Sequence, residues 1–233
     1  HGILHTGGYP SASYVSDAKF GTVLSLPGGK NGNYVQIPGD VLYDVNSITV
    51  TGWIYVNSSA NYQRFFDFGI NDKKYIFCMP TETYNTKIST NGYAYGAEQG
   101  VTTDPIKLNV WHHIAVVLDS ANTTMRVYLD GVLIGYNTNV TIDISQIIHP
   151  DPDNNFFYIG KSQYNSDPEL NGKLYDFRVY STPLSSDQIR NVMNEVNNPT
   201  EPTFDINASF NLNNLQPDKT LEANVSVANI KSD

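Results

Sequence analysis

The chain has 233 residues and carries 14 basic against 23 acidic side chains, a formal net charge of −9 at pH 7. That length is enough to bury a sizeable core, in one large domain or in one domain with a fragment of another. The acidic balance and the absence of a basic cluster argue against nucleic acid and against an anionic membrane surface as partners, because both require clustered Lys and Arg. No apolar run reaches membrane-spanning length, and the abundance of Tyr, Asn, Ser and Thr suits a neutral, hydroxyl-rich partner.

Short strand signals separated by turn residues recur along the chain and favour a β-sandwich over an α/β fold. The segment SITVTGWIYV, residues 47–56, alternates regularly, and the pair Asp130-Gly131 predicts a tight hairpin. The predicted strands cover residues 22–26, 34–37, 47–56, 64–68, 74–79, 86–90, 111–118, 125–129, 132–136, 157–159 and 175–179.

One helix is predicted, over residues 185–194, with Ser185 or Ser186 as its N-cap. A domain boundary is expected close to the Asn-Asn-Pro sequence that ends at Pro199, which gives a first domain of residues 1–198. Residues 199–233 then form a linker and two further strands. Two strands cannot form a sandwich alone, so this tail is either a docked appendage or the beginning of an immunoglobulin-like module, which it resembles.

The stretch FFYIGKSQYNSDPELNGKLYDFRVYSTPLSSDQIRNV, residues 156–192, resembles the C-terminal end of laminin-G-like jelly rolls in the concanavalin A-like lectin/glucanase superfamily. Four further segments follow the order of that family: DAKFGTVLSLPG, YVQIPGDVL with SITVTGWIYV, QRFFDFG, and VWHHIAVVLD with MRVYLDGVLIG. The resemblance covers residues 2–192. It implies an all-β jelly-roll sandwich of two antiparallel sheets with one short C-terminal helix.

The sequence departs from the resemblance at its start. Family members normally begin with an extra strand before the segment that opens this chain. Residues 1–4 correspond to the positions just after that strand, so the strand itself is expected to be missing. A missing central strand would leave unpaired edges and an exposed groove. We therefore predict that a preceding fragment of the same precursor, or tail residues 204–210, fills the gap.

The carboxylates do not form the pattern of a glycoside hydrolase, which needs two of them facing one bond. None of the glutamates falls in an E-x-D-x-E arrangement, and Asp67 is a lone strand carboxylate. The chain is therefore predicted to be non-catalytic. A zinc site is also disfavoured, because the glycines around His1 and His5 oppose the helix that their spacing would need.

Three other residues with reactive side chains are interpreted as structural. Cys78 lies in the strand-like sequence YIFCM and is predicted to be a small buried core residue. His112 and His113 follow one another in a strand, so one of them must point inward. A hydrogen-bonded core imidazole is the favoured interpretation.

Sugar binding requires aromatic faces for C–H groups and planar polar groups for hydroxyls. The candidate ligand-binding residues are Arg64, Asp67, Tyr84, Tyr93, Tyr95, Gln163 and Tyr164. Arg64 and Asp67 lie three apart and would point to opposite faces of a regular strand, unless a bulge intervenes. Tyr93 and Tyr95 lie two apart and would share one face. The alternative for each residue is support of the fold, and the loop around Gln163 and Tyr164 could pack under the ligand face.

The resemblance also implies one structural calcium ion that ties the first loops to the last strand. Its side-chain ligand would be Asp176, with a carbonyl from the turn that contains Gly28 and Gly29. The alternative is that Asp176 pairs with Arg178 or caps a loop.

Two functions remain open. The leading hypothesis is a non-catalytic carbohydrate-binding module of a secreted or cell-surface multidomain glycoside hydrolase, with arabinose-, galactose- or xylose-containing polysaccharide as ligand. The alternative is a structural module that packs against an adjacent catalytic domain without binding sugar. An exposed aromatic pair on the ligand sheet would favour the first, and a sheet filled by loops would favour the second.

Overall fold

The structure, a computed structural model, describes residues 2–92 and 97–195. Within those ranges the chain is mostly strand, with three short 3-10 helices and the α-helix α1, Ser186–Glu195. The strands are β1 Ile3–His5, β2 Ser13–Asp17, β3 Gly21–Gly29, β4 Tyr34–Ile37, β5 Ile48–Val56, β6 Phe66–Gly69, β7 Tyr75–Met79, β8 Tyr84–Ser89, β9 Gln99–Thr103, β10 Trp111–Asp119, β11 Thr124–Leu129, β12 Val132–Asn137, β13 Phe156–Ile159 and β14 Glu169–Tyr180. The predicted tail module, residues 199–233, lies outside the described residues.

The strands form two seven-stranded sheets in which every pairing is antiparallel. The front sheet has the order β1-β4-β13-β6-β7-β8-β9, and the back sheet has the order β12-β11-β10-β5-β14-β3-β2. Neighbouring strands are often distant in sequence, as with β5 and β14. This is the predicted jelly-roll sandwich, and it is confirmed.

The core lies between the sheets because the apolar residues alternate along the strands. In β10, Ile114 and Val116 face the core, whereas Ala115 and Val117 pack on the opposite face against α1. Helix α1 therefore covers part of the outside of the back sheet. It begins after Ser185, whose backbone N–H donates to Gln188 Oε1 at 2.8 Å while its hydroxyl accepts from the Gln188 N–H at 3.3 Å. This capping box identifies Ser185 as the N-cap.

The prediction of a missing central strand is wrong. Strand β1 pairs with β4, with Ile3 opposite Gln36 and His5 opposite Tyr34. Every strand inside either sheet has a neighbour on both sides, so the described sheets contain no gap for a fragment or for the tail to fill. The physical reason is that the opening residues themselves take up the position next to β4.

Cys78 is a fully buried core residue, as predicted, and its burial raises the pKa of the thiol to about 11. His112 agrees with the structural interpretation, since its Nδ1 lies 2.7 Å from Asp130 Oδ2. The ring of His113 packs against Trp53 at a centroid distance of 5.3 Å. Burial lowers the pKa of His113 to about 4, so its ring is neutral at pH 7. Both histidines are buried.

Helix α1, the one α-helix within the described ranges, falls short of the length and apolar character needed to cross a bilayer.

Candidate functional site

An apolar floor lies on the outer face of the front sheet. Strand β7 alternates, so Ile76 and Cys78 enter the core while Tyr75, Phe77 and Met79 form a separate cluster on the other face. These three side chains are 1, 6 and 7 % exposed, because other groups lie on top of them. The floor is therefore a supporting layer, and the groups above it decide what a ligand would touch.

Arg64 covers the middle of this floor. Its guanidinium carbon lies 4.0 Å from the centroid of the Phe77 ring. Nε lies 3.4 Å from Asp67 Oδ2, and Nη2 lies 3.4 Å from Asp167 Oδ2. Arg64 precedes β6, which begins at Phe66, so the alternation of a regular strand does not apply to it. Arg64 and Asp67 therefore converge in spite of their spacing of three.

Asp67 is buried beneath this arginine. Its Oδ2 also accepts the backbone N–H of Gln163 at 3.1 Å, whereas its Oδ1 has no hydrogen-bond partner among the described residues. Burial raises the pKa of Asp67 to about 6, against the opposing effect of the Arg64 charge. Asp67 thus holds Arg64 and the backbone of Gln163 in position.

A loop of residues 160–168, here called the Tyr164 loop, crosses the front sheet beside Arg64. Its shape is fixed internally, because Ser162 Oγ donates to Asp167 Oδ2 at 2.7 Å and accepts the Tyr164 N–H at 3.1 Å. Gln163 holds the loop on the sheet through its donation from Nε2 to the Phe156 carbonyl. The Tyr164 ring meets the Tyr75 ring at a centroid distance of 5.9 Å. The loop thus forms one wall above the floor.

Between this wall and β8 lies an open groove of about 550 Å³, here called the front groove. The front groove is lined by Tyr62, Arg64, Tyr75, Phe77, Met79, Asn85, Lys87, Gly92, Glu98, Tyr164 and Asp167. Tyr62 stands at the rim with 55 % of its surface exposed. Glu98 accepts a hydrogen bond of 2.7 Å from the Tyr75 hydroxyl, and Lys87 Nζ donates to Thr102 Oγ1 at 2.8 Å. The groove combines an apolar base with exposed donors and acceptors, as small-molecule sites do.

The predicted ligand-binding residues fall into three groups. Arg64, Asp67, Gln163 and Tyr164 lie together at this groove, with Asp67 beneath it and Gln163 anchoring its wall. The prediction for Tyr84 is wrong, because its side chain is fully buried in the core with its hydroxyl 3.4 Å from Cys78 Sγ. Strand β8 begins at Tyr84 and turns that residue inward. Tyr93 and Tyr95 lie outside the described residues.

Sequence reasoning missed Tyr62, Tyr75, Phe77, Asn85, Lys87, Glu98 and Asp167 as groove residues. In the sequence KKYIFCM, both alternating sets are apolar, so the pattern could not show that Tyr75 and Phe77 face away from the core. For Asn85 and Lys87 the sequence did carry a signal. These polar residues alternate with Thr86 and Ile88, which are buried, and the alternation indicates that Asn85 and Lys87 face away from the core.

The predicted calcium ligands do not converge on one site. Asp176 lies at a bulge of β14, with φ +51°, and its Oδ1 accepts from Arg178 Nε at 2.8 Å, which was the alternative interpretation. Gly29 pairs with Glu169, seven residues before Asp176 on β14, a separation of roughly 23 Å at about 3.3 Å per residue. Across residues 2–92 and 97–195, no group of three or more His, Cys, Asp or Glu side chains could hold a metal. These residues do not fit calcium.

A carboxylate stabilises the turn after Gly28 and Gly29 instead. Glu169 accepts backbone N–H groups from Asn31, Gly32 and Asn33 at 3.2, 2.8 and 2.9 Å. Side-chain oxygens therefore satisfy this turn without an ion.

The family of the chain follows from a match over most of its length. The sequence model of the Laminin_G_3 family, in the concanavalin A-like lectin/glucanases superfamily, matches residues 28–190. The chain belongs to this family. The Laminin_G_3 assignment confirms the resemblance seen in the sequence, and the front groove lies within the matched residues.

Solved structures share the fold of this Laminin_G_3 domain. Domain 4 of AbnA, a GH43 extracellular arabinanase from Geobacillus stearothermophilus, in complex with arabinotriose, aligns with a TM-score of 0.62 at 20 % identity and covers 82 % of this chain and 87 % of that one. The CBM40 of a Ruminococcus gnavus IT-sialidase, bound to α2,3-sialyllactose, gives 0.55 at 12 % identity, with 73 % and 95 % covered. The botulinum neurotoxin serotype C1 binding domain gives 0.56 at 16 %, with 83 % and 52 % covered. At these identities the likeness shows the lectin-like jelly-roll fold.

One curated relative is a mouse protein, the sushi, von Willebrand factor type A, EGF and pentraxin domain-containing protein 1 of Mus musculus. It is 29 % identical over 109 residues, which are 47 % of this chain and 3 % of the mouse protein. The Laminin_G_3 domain thus matches a small part of a much longer protein.

Proposed function

We propose that this domain is a non-catalytic carbohydrate-binding module that binds polysaccharide in the front groove. The observation that carries the proposal is the groove itself, in which the exposed Tyr62 and the half-buried Tyr164 border a set of hydrogen-bonding groups over an apolar floor. A pyranose or furanose presents C–H faces and hydroxyls, and this combination of surfaces complements both.

The charges of the groove suit a neutral sugar. Arg64 faces two carboxylates, Asp67 and Asp167, and Lys87 feels the opposite charge of Glu98. Neither cation is left with an unbalanced charge for an anionic ligand. Neutral polysaccharides that contain arabinose, galactose or xylose are therefore the proposed ligands, and the arabinotriose complex of the similar arabinanase domain supports this choice.

The carboxylates of the groove support a binding role without catalysis. A retaining hydrolase needs an acid and a nucleophile about 5 Å apart on a bound sugar. Asp67 and Asp167 instead share the Arg64 guanidinium, and Asp67 has no exposed surface. The third carboxylate, Glu98, accepts a hydrogen bond from the Tyr75 hydroxyl. The proposed role is targeting in a secreted glycoside hydrolase, in which weak binding to polysaccharide raises the local concentration of an adjacent catalytic domain.

Affinity electrophoresis of the folded chain in gels that contain arabinan, galactan or xylan tests the proposal. We expect at least one polysaccharide to retard the chain. We expect Tyr62→Ala and Asn85→Ala to weaken that retardation, because both side chains line the groove. Tyr136→Ala is the matched control, since Tyr136 is 67 % exposed on β12 of the back sheet. Equal losses in all three variants would contradict binding in the front groove.

The structural alternative is favoured by one observation, the covering of the floor. Tyr75, Phe77 and Met79 lie almost wholly beneath Arg64 and the Tyr164 loop, so the ligand sheet is partly filled by loops. A folded chain that no polysaccharide retards, but that binds a purified glycoside hydrolase catalytic domain, would establish this packing role.

A further inference from the structure

A second pocket adjoins the front groove on the other side of the Tyr164 loop. This side pocket, of about 300 Å³, is lined by Lys30, Gly32, Tyr34, Lys161, Tyr164, Asn165, Asp167 and Glu169. Tyr164 and Asp167 line both the side pocket and the front groove. Only the Tyr164 loop therefore separates the two spaces, so a ligand long enough to pass over Tyr164 would reach both.

The side pocket is held in shape by contacts that need no ligand. Tyr34 stacks on His5 at a centroid distance of 4.3 Å and an interplanar angle of 14°. Lys161 Nζ lies 4.3 Å from the centroid of the Tyr158 ring and donates to the Ser162 carbonyl at 3.0 Å. On the opposite side, Glu169 fixes the backbone of residues 31–33. Such a preformed pocket loses little conformational entropy when it binds.

The chemistry of the side pocket matches that of the front groove. The lining includes an aromatic ring, Tyr34, and an amide, Asn165, and the ammonium group of Lys161 lies 5.5 Å from the centroid of the Tyr34 ring. The positive charge of Lys161 is opposed by Asp67, Glu169 and Asp167. Tyrosine with balanced polar groups again suits a neutral sugar ring.

The distance between the two spaces decides what kind of ligand can occupy both. Tyr34 is on β4 and Tyr75 is on β7, and the order β4-β13-β6-β7 places three strand spacings between them. At about 4.8 Å per spacing, these two strands are roughly 14 Å apart across the sheet, and the strand registers add an offset along β7 between Tyr75 and the level of Tyr34. One monosaccharide does not span this distance, whereas a chain of sugars does.

We propose that the side pocket is a second subsite for the same glycan chain, so that the domain binds an extended stretch of polysaccharide across Tyr164 and not a single sugar unit. This inference rests on the proposed function and deepens it, because it defines the ligand as a chain that is long enough to fill both spaces.

Isothermal titration with arabino-, galacto- and xylo-oligosaccharides, from disaccharide to octasaccharide, tests the inference. We expect the affinity of the bound series to rise about fivefold with length, as one further aromatic contact allows, and then to level off. Tyr34→Ala should abolish that rise and leave the affinity for the disaccharide unchanged. Asn165→Trp should do the same by filling the pocket, and it is tolerated by folding because Asn165 is an exposed loop residue. Tyr14→Ala, at an exposed tyrosine of β2, is the control.

The outcomes separate this inference from the proposed function. Affinity that does not rise with length, or a rise that survives both Tyr34→Ala and Asn165→Trp, would overturn the second subsite and leave the front groove standing. A folded chain that binds no oligosaccharide of any length would overturn the proposed function, and the second subsite with it.

Discussion

The buried pair of Arg64 and Asp67 provides the sharpest test of how the groove is held together. Their side chains are 4 % and 0 % exposed, and removing one partner of a buried ion pair costs about 3–5 kcal/mol. Because the Nε–Oδ2 distance of 3.4 Å is long, we expect Arg64→Met to lower the free energy of unfolding at pH 7 by about 3 kcal/mol, at the low end of that range. Asp67→Asn should raise the free energy of unfolding at pH 7 by about 3 kcal/mol, because a neutral amide avoids the burial cost that raises the pKa of the Asp67 carboxyl from 3.8 to about 6, while Arg64 keeps Asp167.

The double variant completes a thermodynamic cycle. The two single effects then sum to about zero, and we expect the double variant of Arg64→Met and Asp67→Asn to be about 2 kcal/mol more stable than the wild-type chain, which gives a coupling energy of about 2 kcal/mol. Urea unfolding followed by the fluorescence of Trp53 and Trp111 measures all four proteins. At pH 5 the coupling should shrink, because the raised pKa of Asp67, about 6, leaves that carboxyl largely protonated. If the effects of the two single substitutions at pH 7 sum to the effect of the double variant within about 0.5 kcal/mol, the pairing of Arg64 with Asp67 is refuted.

Three further predictions concern the pKa of Asp67, the turn held by Glu169, and calcium. The raised folded-state pKa of Asp67 stabilises the fold while the carboxyl is protonated, so this contribution is present below pH 4 and is lost as the pH rises through about 6. Across that pH window the free energy of unfolding of the wild-type chain, measured in urea, should fall by about 3 kcal/mol relative to that of the Asp67→Asn variant. A difference between the two proteins that does not change with pH would contradict this prediction. Glu169→Ala should lower the free energy of unfolding by about 3 kcal/mol, because three backbone N–H groups lose a charged acceptor, and a loss below about 1 kcal/mol would show that the turn is held otherwise. Because Asp176 pairs with Arg178 and lies far from Gly29, Tm should be the same in EDTA and in calcium, and a rise in Tm with calcium would reveal an ion site.

Much of the fold could be predicted because its central strands carry clear local signals. The strand predicted at 34–37 coincides with β4, and the predicted helix 185–194 is displaced by one residue from α1. The strands that were missed are at or near sheet edges. The sequences ILH of β1, SYVSD of β2 and QGVTT of β9 are short or polar and lack an alternating apolar set. Their formation depends on a neighbouring strand, which a local pattern cannot show.

The candidate site was only partly predictable, because the boundaries of two strands were misplaced, which left Tyr84 outside a predicted strand and Arg64 inside one. Tyr84 points inward because β8 begins two residues earlier than the predicted strand, and Arg64 joins Asp67 because β6 begins two residues later than predicted. The calcium ligand set failed for a different reason. Asp176 follows Glu169, the partner of Gly29, by seven residues along β14, so the two expected ligands lie too far apart to share one ion.

The central claim is that a glycan binds in the front groove, and an NMR titration of the ¹⁵N-labelled chain tests it most directly. Xylo-, arabino- and galacto-oligosaccharides would be added in turn while the backbone amide shifts are followed. The account predicts that one series shifts the amides of Tyr62, Arg64, Asn85, Lys87 and Tyr164, and leaves the back-sheet strands β11 and β12 unchanged. Shifts confined to the back sheet, or no shifts with any of the three series, would contradict it.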